Sequence, residues 1–136
     1  MKYNHDTMCE ILSRLLIPGE TLRFPVYAGF PETGFFARAG SLQTGFASLT
    51  SMGRLIYARY NVFGQCTGGF FNPSLAQKVA VKKNIFGQYV IDCRYLVNGK
   101  KQKIRIQIAP KVVGCKFPEQ QENSESLTRE LSGYEQ

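Results

Sequence analysis

Residues 88–109 read QYVIDCRYLVNGKKQKIRIQIA, and this stretch decides the fold class. Asn98-Gly99 is a strong two-residue hairpin signal, because both central residues of a type I′ turn need positive φ. If these two residues form the turn, Val97 faces Lys100 and the ladder can be counted backwards. Cys93 then opposes Ile104, Ile91 opposes Ile106, and Tyr89 opposes Ile108, all on one face. The other face pairs Asp92 with Arg105 and Arg94 with Lys103. A one-residue slip would destroy the match, so the register is strongly specified.

Upstream, further strand patterns appear. Residues 21–28 alternate Leu22, Phe24, Val26 and Ala28 against Arg23, Pro25 and Tyr27. Pro25 removes a ladder donor, which predicts an edge strand or a bulge. Residues 41–50 and 54–61 read as two strands joined by the turn Ser51-Met52-Gly53. Residues 29–40 read as an aromatic loop with a short strand at Phe35-Phe36, and residues 64–73 as a Gly-rich irregular break. A further strand is expected within 75–84, seeded by Leu75, Val79 and Val81.

Helices are expected at the two ends. Met8, Ile11, Leu12, Leu15 and Leu16 share a helical face over residues 8–17, with Thr7 and Glu10 as a capping box and Pro18-Gly19 as the stop. At the C-terminus, Phe117-Pro118-Glu119 opens a short helix with Leu127 and Leu131 as its apolar stripe and Gly133 at its end. The division read from the chain is an N-terminal helix in 1–18, a β-domain with its closing helix in 19–131, and a frayed tail in 132–136. These form one domain, as 136 residues suggest. From the residues alone the expectation is a small, mainly β barrel or sandwich with terminal helices.

The segment 45–57, GFASLTSMGRLIY, resembles the G-x-x-x-L-T-x-x-R-L-I-Y hairpin of bacterial pleckstrin-homology-like and GRAM-like domains. That family carries a polar residue and a Lys or Asp in the turn, where this chain has Ser51-Met52-Gly53. Leu16-Ile17-Pro18-Gly19-Glu20 is similar to the L-x-P-G-E found before the first strand of such domains. The resemblance covers most of residues 15–131. It implies a partly open barrel of about seven antiparallel strands in two near-orthogonal sheets, plugged by the C-terminal helix. It also implies a non-enzymatic interaction module.

Composition limits the function classes. At 43% hydrophobic and 20% charged, the chain is globular rather than disordered. It shows neither a membrane-spanning run nor an export signal, so the expected compartment is cytoplasmic. Cys9, Cys66, Cys93 and Cys115 form no C-x-x-C pair and read as reduced, buried small hydrophobes. His5 is the only histidine and lies before the predicted helix, in a segment expected to be mobile. A Ser-His-Asp or Cys-His site would have to use it. Asp6, Glu10, Glu20, Glu32 and Asp92 fall into no metal-binding pattern, and GQCTGG at 64–69 lacks the ending of a phosphate loop. No catalytic, metal or cofactor residue is assigned.

The net charge of +7 is unevenly spread. Residues 1–116 hold sixteen Lys and Arg against five acids; residues 117–136 hold Arg129 against five Glu. The basic stretch 78–116 supplies the candidate anion-binding residues Lys82, Lys83, Arg94, Lys100, Lys101, Lys103 and Arg105. An outward face of this kind attracts the phosphates of nucleic acid or lipid headgroups. It also guards a sheet against edge-to-edge aggregation. Phosphoinositide-binding relatives place basic residues in the loop between the first two strands. Here residues 29–40 offer Arg38 alone beside Glu32, so that site does not carry over. The leading expectation is an interaction module with an unknown protein partner or self-association, through Pro25, the 29–40 loop and exposed Phe residues. Anionic-partner binding through the basic face is the alternative. The tail acids Glu119, Glu122 and Glu125 are expected to pair with Lys78, Lys111 or Lys116.

Overall fold

A computed structural model describes residues 4–31, 42–61, 63–112 and 117–135. The predicted strand at Phe35-Phe36, Arg38, Cys115 and Lys116 lie outside them. The chain is mainly β. Helix α1 (His5–Ser13) precedes strands β1 (Leu22–Pro31), β2 (Leu42–Thr50), β3 (Leu55–Tyr60) and β4 (Cys66–Phe71). A short 3-10 turn (Pro73–Leu75) leads to β5 (Lys78–Lys83), β6 (Tyr89–Val97) and β7 (Lys100–Ile108), and helix α2 (Gln120–Ser132) follows. The strands form one open antiparallel sheet in the order β4-β3-β2-β1-β7-β6-β5.

The β6–β7 register is the one counted from the turn, from Val97 opposite Lys100 to Tyr89 opposite Ile108. Asn98 and Gly99 take φ of 52° and 78°, as a type I′ turn requires. The hairpin at 51–53 also forms, with Gly53 at φ +78°. Instead of two sheets, one ladder runs throughout, and it narrows at β1–β7 to a single pair, Gly29 with Gln107.

Several local expectations are corrected. Helix α1 starts earlier, at His5, because Asn4 caps it: its Oδ1 accepts from the Asp6 and Thr7 amides at 2.8 and 3.3 Å. Thr7 therefore lies inside the helix. His5 is not in a loose leader; its ring stacks on Phe117 at 4.8 Å. Of the two expectations for Pro25 the bulge is found and the edge strand is not: β1 is central, the register shifts between Arg23 and Val26, and Phe24 takes φ +59°. Residues 66–71 are a strand rather than an irregular break. Glycine serves close approach there: a Cβ on Gly68 would lie 2.9 Å from Leu15, and one on Gly69 2.4 Å from the Tyr57 hydroxyl. Gly133 ends α2 at φ −65°, without the left-handed turn its identity suggests. Beyond it, Tyr134 packs against the core and Glu135 accepts from the Val81 amide at 3.3 Å.

Two apolar clusters explain the layering. One draws inward-facing residues from all seven strands, including Val26, Leu49, Leu55, Phe71, Val79, Ile91 and Ile106, together with Leu127 and Leu131 of α2. A sheet whose every strand feeds one cluster must curl around it, and α2 fills the concavity. The second cluster lies on the outer face of β1–β3: Tyr27, Phe46, Ile56 and Ala58 pack under Met8 and Leu12 of α1, and Phe117 joins them. The outer face of the first half of the sheet is thus apolar and covered by a helix.

Candidate functional site

The outer face of β5–β7 has the opposite character. In the cross-strand register Lys78 stands opposite Arg94, and Arg94 opposite Lys103, forming one basic row. Neighbouring strands lie ~4.8 Å apart, so this row spans about 10 Å. The next row is Ala80, Asp92 and Arg105, followed by Lys82, Val90 and Gln107; Leu96 and Lys101 pair on the other side. Lys78, Lys82, Arg94, Lys101 and Lys103 are exposed. Asp92 is engaged, accepting from Arg105 Nε at 2.7 Å as the cross-strand count predicts.

Five of the seven sequence candidates therefore share the face: Lys82, Arg94, Lys101, Lys103 and Arg105. The other two do not. Lys83 and Lys100 have the opposite side-chain parity, and the Lys83 Nζ sits 5.6 Å over the Tyr89 ring on the neighbouring strand. Lys78 joins the face. Its place follows from the β5–β6 turn at 84–88, whose length sets which residues of the two strands oppose each other.

The tail acids do not pair as anticipated with Lys78 or Lys111. Glu130 instead forms a bidentate pair with Arg23, one contact at 3.1 Å. Among the described residues no acidic partner is found for Lys78, Arg94 or Lys103, so the row's charge is directed at solvent.

Two other features were invisible to hydrophobic patterning. Residues 61–65 (NVFGQ) and 84–88 (NIFGQ) share the pattern Asn-x-Phe-Gly-Gln, which direct comparison of the chain with itself would find. Strand β4 is also an outer edge of the sheet. Beside it runs a groove of about 670 Å³ lined by Phe70, Leu75, Leu96 and Val97, among others.

No group of three His, Cys, Asp or Glu able to hold a metal is present among the described residues. Cys93 is enclosed, and burial first, then the Asp92 charge, pushes its thiol up to about 12, against nucleophilic use. Cys66, read from sequence as buried, is exposed, and Cys9 is half-buried with its Sγ 3.4 Å from His5 Nε2. No helix among the described residues is long and apolar enough to cross a membrane.

Fold and site together define a mainly β domain of seven antiparallel strands in one open sheet, with a helix at each end and one basic outer face that no described helix covers. Among solved structures the chain is similar to the hSac2 domain from human phosphoinositide phosphatase Sac2. The TM-score is 0.56 at 10% identity, over 98% of this chain and 82% of that one. At that identity the likeness concerns the fold alone. No protein-family model and no curated protein matches the chain.

Proposed function

We propose that this chain is a non-enzymatic, pleckstrin-homology-like interaction module that docks an anionic partner on the outer face of β5–β7. The observation that carries this reading is the row Lys78, Arg94 and Lys103. Three cations are held side by side across three strands, with Lys82, Lys101 and Arg105 on the same face. Like charges directly opposite one another oppose sheet formation. The N-terminal half of the same sheet shows that a helix can cover an outer face; no described helix covers this one, and its basic character suits a phosphate-bearing surface. The pleckstrin-homology-like assignment is supported by the strand order, by the C-terminal helix in the concavity, and by the two motifs that suggested it. Those motifs meet in space: Glu20 of LIPGE is ion-paired with Arg54 of the RLIY hairpin. The solved neighbour comes from a phosphoinositide phosphatase. The enclosed Cys93 and the stacked His5 favour binding over a corresponding catalytic role here.

The test is retention on an anionic matrix. Binding should fall steeply with salt, since each neutralised phosphate releases counterions. Arg94→Glu with Lys103→Glu should abolish it while leaving the melting temperature close to that of the parent. Retention unchanged by this pair would overturn the reading. A second reading, a protein partner or self-association, is favoured by the edge of β4, which no strand pairs among the described residues and which lies beside the apolar groove, where an added strand would find ladder donors and acceptors. Sedimentation that reports a monomer at all concentrations would remove its self-associating form.

A further inference from the structure

The Asn-x-Phe-Gly-Gln pattern builds the same turn twice. Asn84 Oδ1 accepts from the Phe86 and Gln88 amides at 3.0 and 2.9 Å, its Nδ2 donates to Gln88 Oε1 at 3.0 Å, and Gly87 takes φ +76°. Asn61 repeats the arrangement: its Oδ1 accepts from the Phe63 and Gln65 amides at 2.9 and 3.0 Å, its Nδ2 donates to Gln65 Oε1 at 2.8 Å, and Gly64 takes φ +77°. Asn, Gly and Gln are explained by turn geometry. The Phe is not: this turn requires no apolar side chain at that position. Yet Phe86 is 79% exposed, Ile85 93% and Phe63 84%.

The two tips differ in their surroundings. Lys82 and Lys83 immediately precede Asn84, and Lys82 belongs to the basic face. The 61–65 tip follows Arg59-Tyr60, and the Arg59 guanidinium lies 5.8 Å over the ring of Tyr57. We propose that the 84–88 tip is an insertion anchor for an anionic lipid bilayer. Ile85 and Phe86 enter below the headgroups, while Lys82 and the basic face beyond it meet headgroup phosphates or carboxylates. This rests on the anionic-partner reading and names the partner as a membrane surface.

Three observations favour a bilayer over a protein or a nucleic acid. The apolar part is a convex tip of two residues, far short of the ~1,200 Å² of a stable protein interface. A nucleic acid would use the Phe ring for stacking but offers Ile85 little. The amides of Phe86, Gly87 and Gln88 are already bonded within the turn, so insertion strips no water from them. Two inserted side chains alone bind weakly, and the neighbouring basic face supplies the second attraction that stable anchoring needs.

The chain has no Trp, so Phe86→Trp creates a single reporter in the full-length protein. With phosphatidylcholine vesicles containing phosphatidylserine, its emission should shift to the blue and be quenched by brominated acyl chains. Phe63→Trp should show neither change. Ile85→Ser with Phe86→Ser should weaken vesicle co-sedimentation by about tenfold or more. Its melting temperature should not change, since both side chains are exposed. Vesicle-bound Phe86→Trp protein without shift or quenching would overturn insertion and leave the basic-face reading standing. Equal responses from both reporters would overturn the assignment to the lysine-flanked tip. Failure to bind the vesicles at low salt would also overturn it, and RNA retention under the same conditions would then identify a nucleic acid as the partner.

Discussion

Glu20 is a carboxylate with a fully enclosed side chain that keeps its charge. Arg54 donates to both its oxygens, Nε at 2.9 Å, while Thr50 donates at 2.5 Å and the Ile17 amide at 3.1 Å. Arg54 also donates to the Leu15 carbonyl at 2.9 Å and lies 4.7 Å over Phe70, which ties the end of α1 to the β2–β3 hairpin and to β4. These bonds, the one from Arg54 foremost, hold the Glu20 pKa at about 2, below the ordinary 4.5. A depressed carboxylate stabilises the fold fully above its ordinary value and ceases to do so as pH falls through the folded one. Thermal stability should therefore decline between about pH 4.5 and 2 more steeply in the parent than in Glu20→Gln. That variant should itself be about 3 kcal/mol less stable at neutral pH, because it leaves Arg54 unpaired. A parent and variant with parallel pH profiles would contradict this. Cys93 offers a second residue-scale check: it should resist thiol reagents until the protein unfolds, whereas Cys66 should react in the native state.

At the scale of elements, α2 is held by more than its leucines. Gln120 is buried; its Oε1 accepts from the Tyr27 amide, and its Nε2 donates to the Tyr27 and Ala109 carbonyls, all at 3.0 Å. Extending the β1–β7 register by two residues would put Ala109 opposite Tyr27. The Gln120 amide stands in for that missing pair and wedges the strands apart. Gln120→Leu should strand several buried backbone groups and cost about 3 kcal/mol in denaturant unfolding. Leu127→Asp should cost at least ~3 kcal/mol by burying a charge in the central cluster. Glu122→Gln with Glu125→Gln should stay within ~0.5 kcal/mol, since both acids are exposed. The leucine stripe of α2 was legible from sequence because Leu127 and Leu131 are four apart. Gln120, Ser124 and Thr128 were not, because patterning by hydrophobicity passes over polar side chains that bury themselves by hydrogen bonding. Thr128 donates to the Ser124 carbonyl at 2.5 Å and Ser132 to that of Thr128 at 2.9 Å. Likewise the β6–β7 hairpin was readable to the residue, since its turn and its alternation agree. Strand β4 was hidden by glycines whose reason, the closeness of Leu15 and Tyr57, exists only in three dimensions.

Across the whole molecule, one sheet carries two unlike outer faces. That of β1–β3 bears Tyr27, Phe46 and Ile56 and is sealed by α1; that of β5–β7 bears Lys78, Lys82, Arg94, Lys101, Lys103 and Arg105, and no described helix covers it. Part of this was legible: Arg94, Lys103 and Arg105 follow from one hairpin count, while Lys78 and the exclusion of Lys83 and Lys100 needed the neighbouring strand and side-chain parity. The excess of positive charge in residues 1–116 over the acidic tail is not cancelled on this face, because Glu130 goes to Arg23 on β1. Docking on the basic face is best tested by binding to phosphatidylserine-containing vesicles as a function of salt, for the parent and for Arg94→Glu with Lys103→Glu. Such docking requires a steep linear fall of log affinity with log salt for the parent, and loss of binding at every salt for the folded variant. A shallow slope, or a folded variant that binds as the parent does, would contradict it.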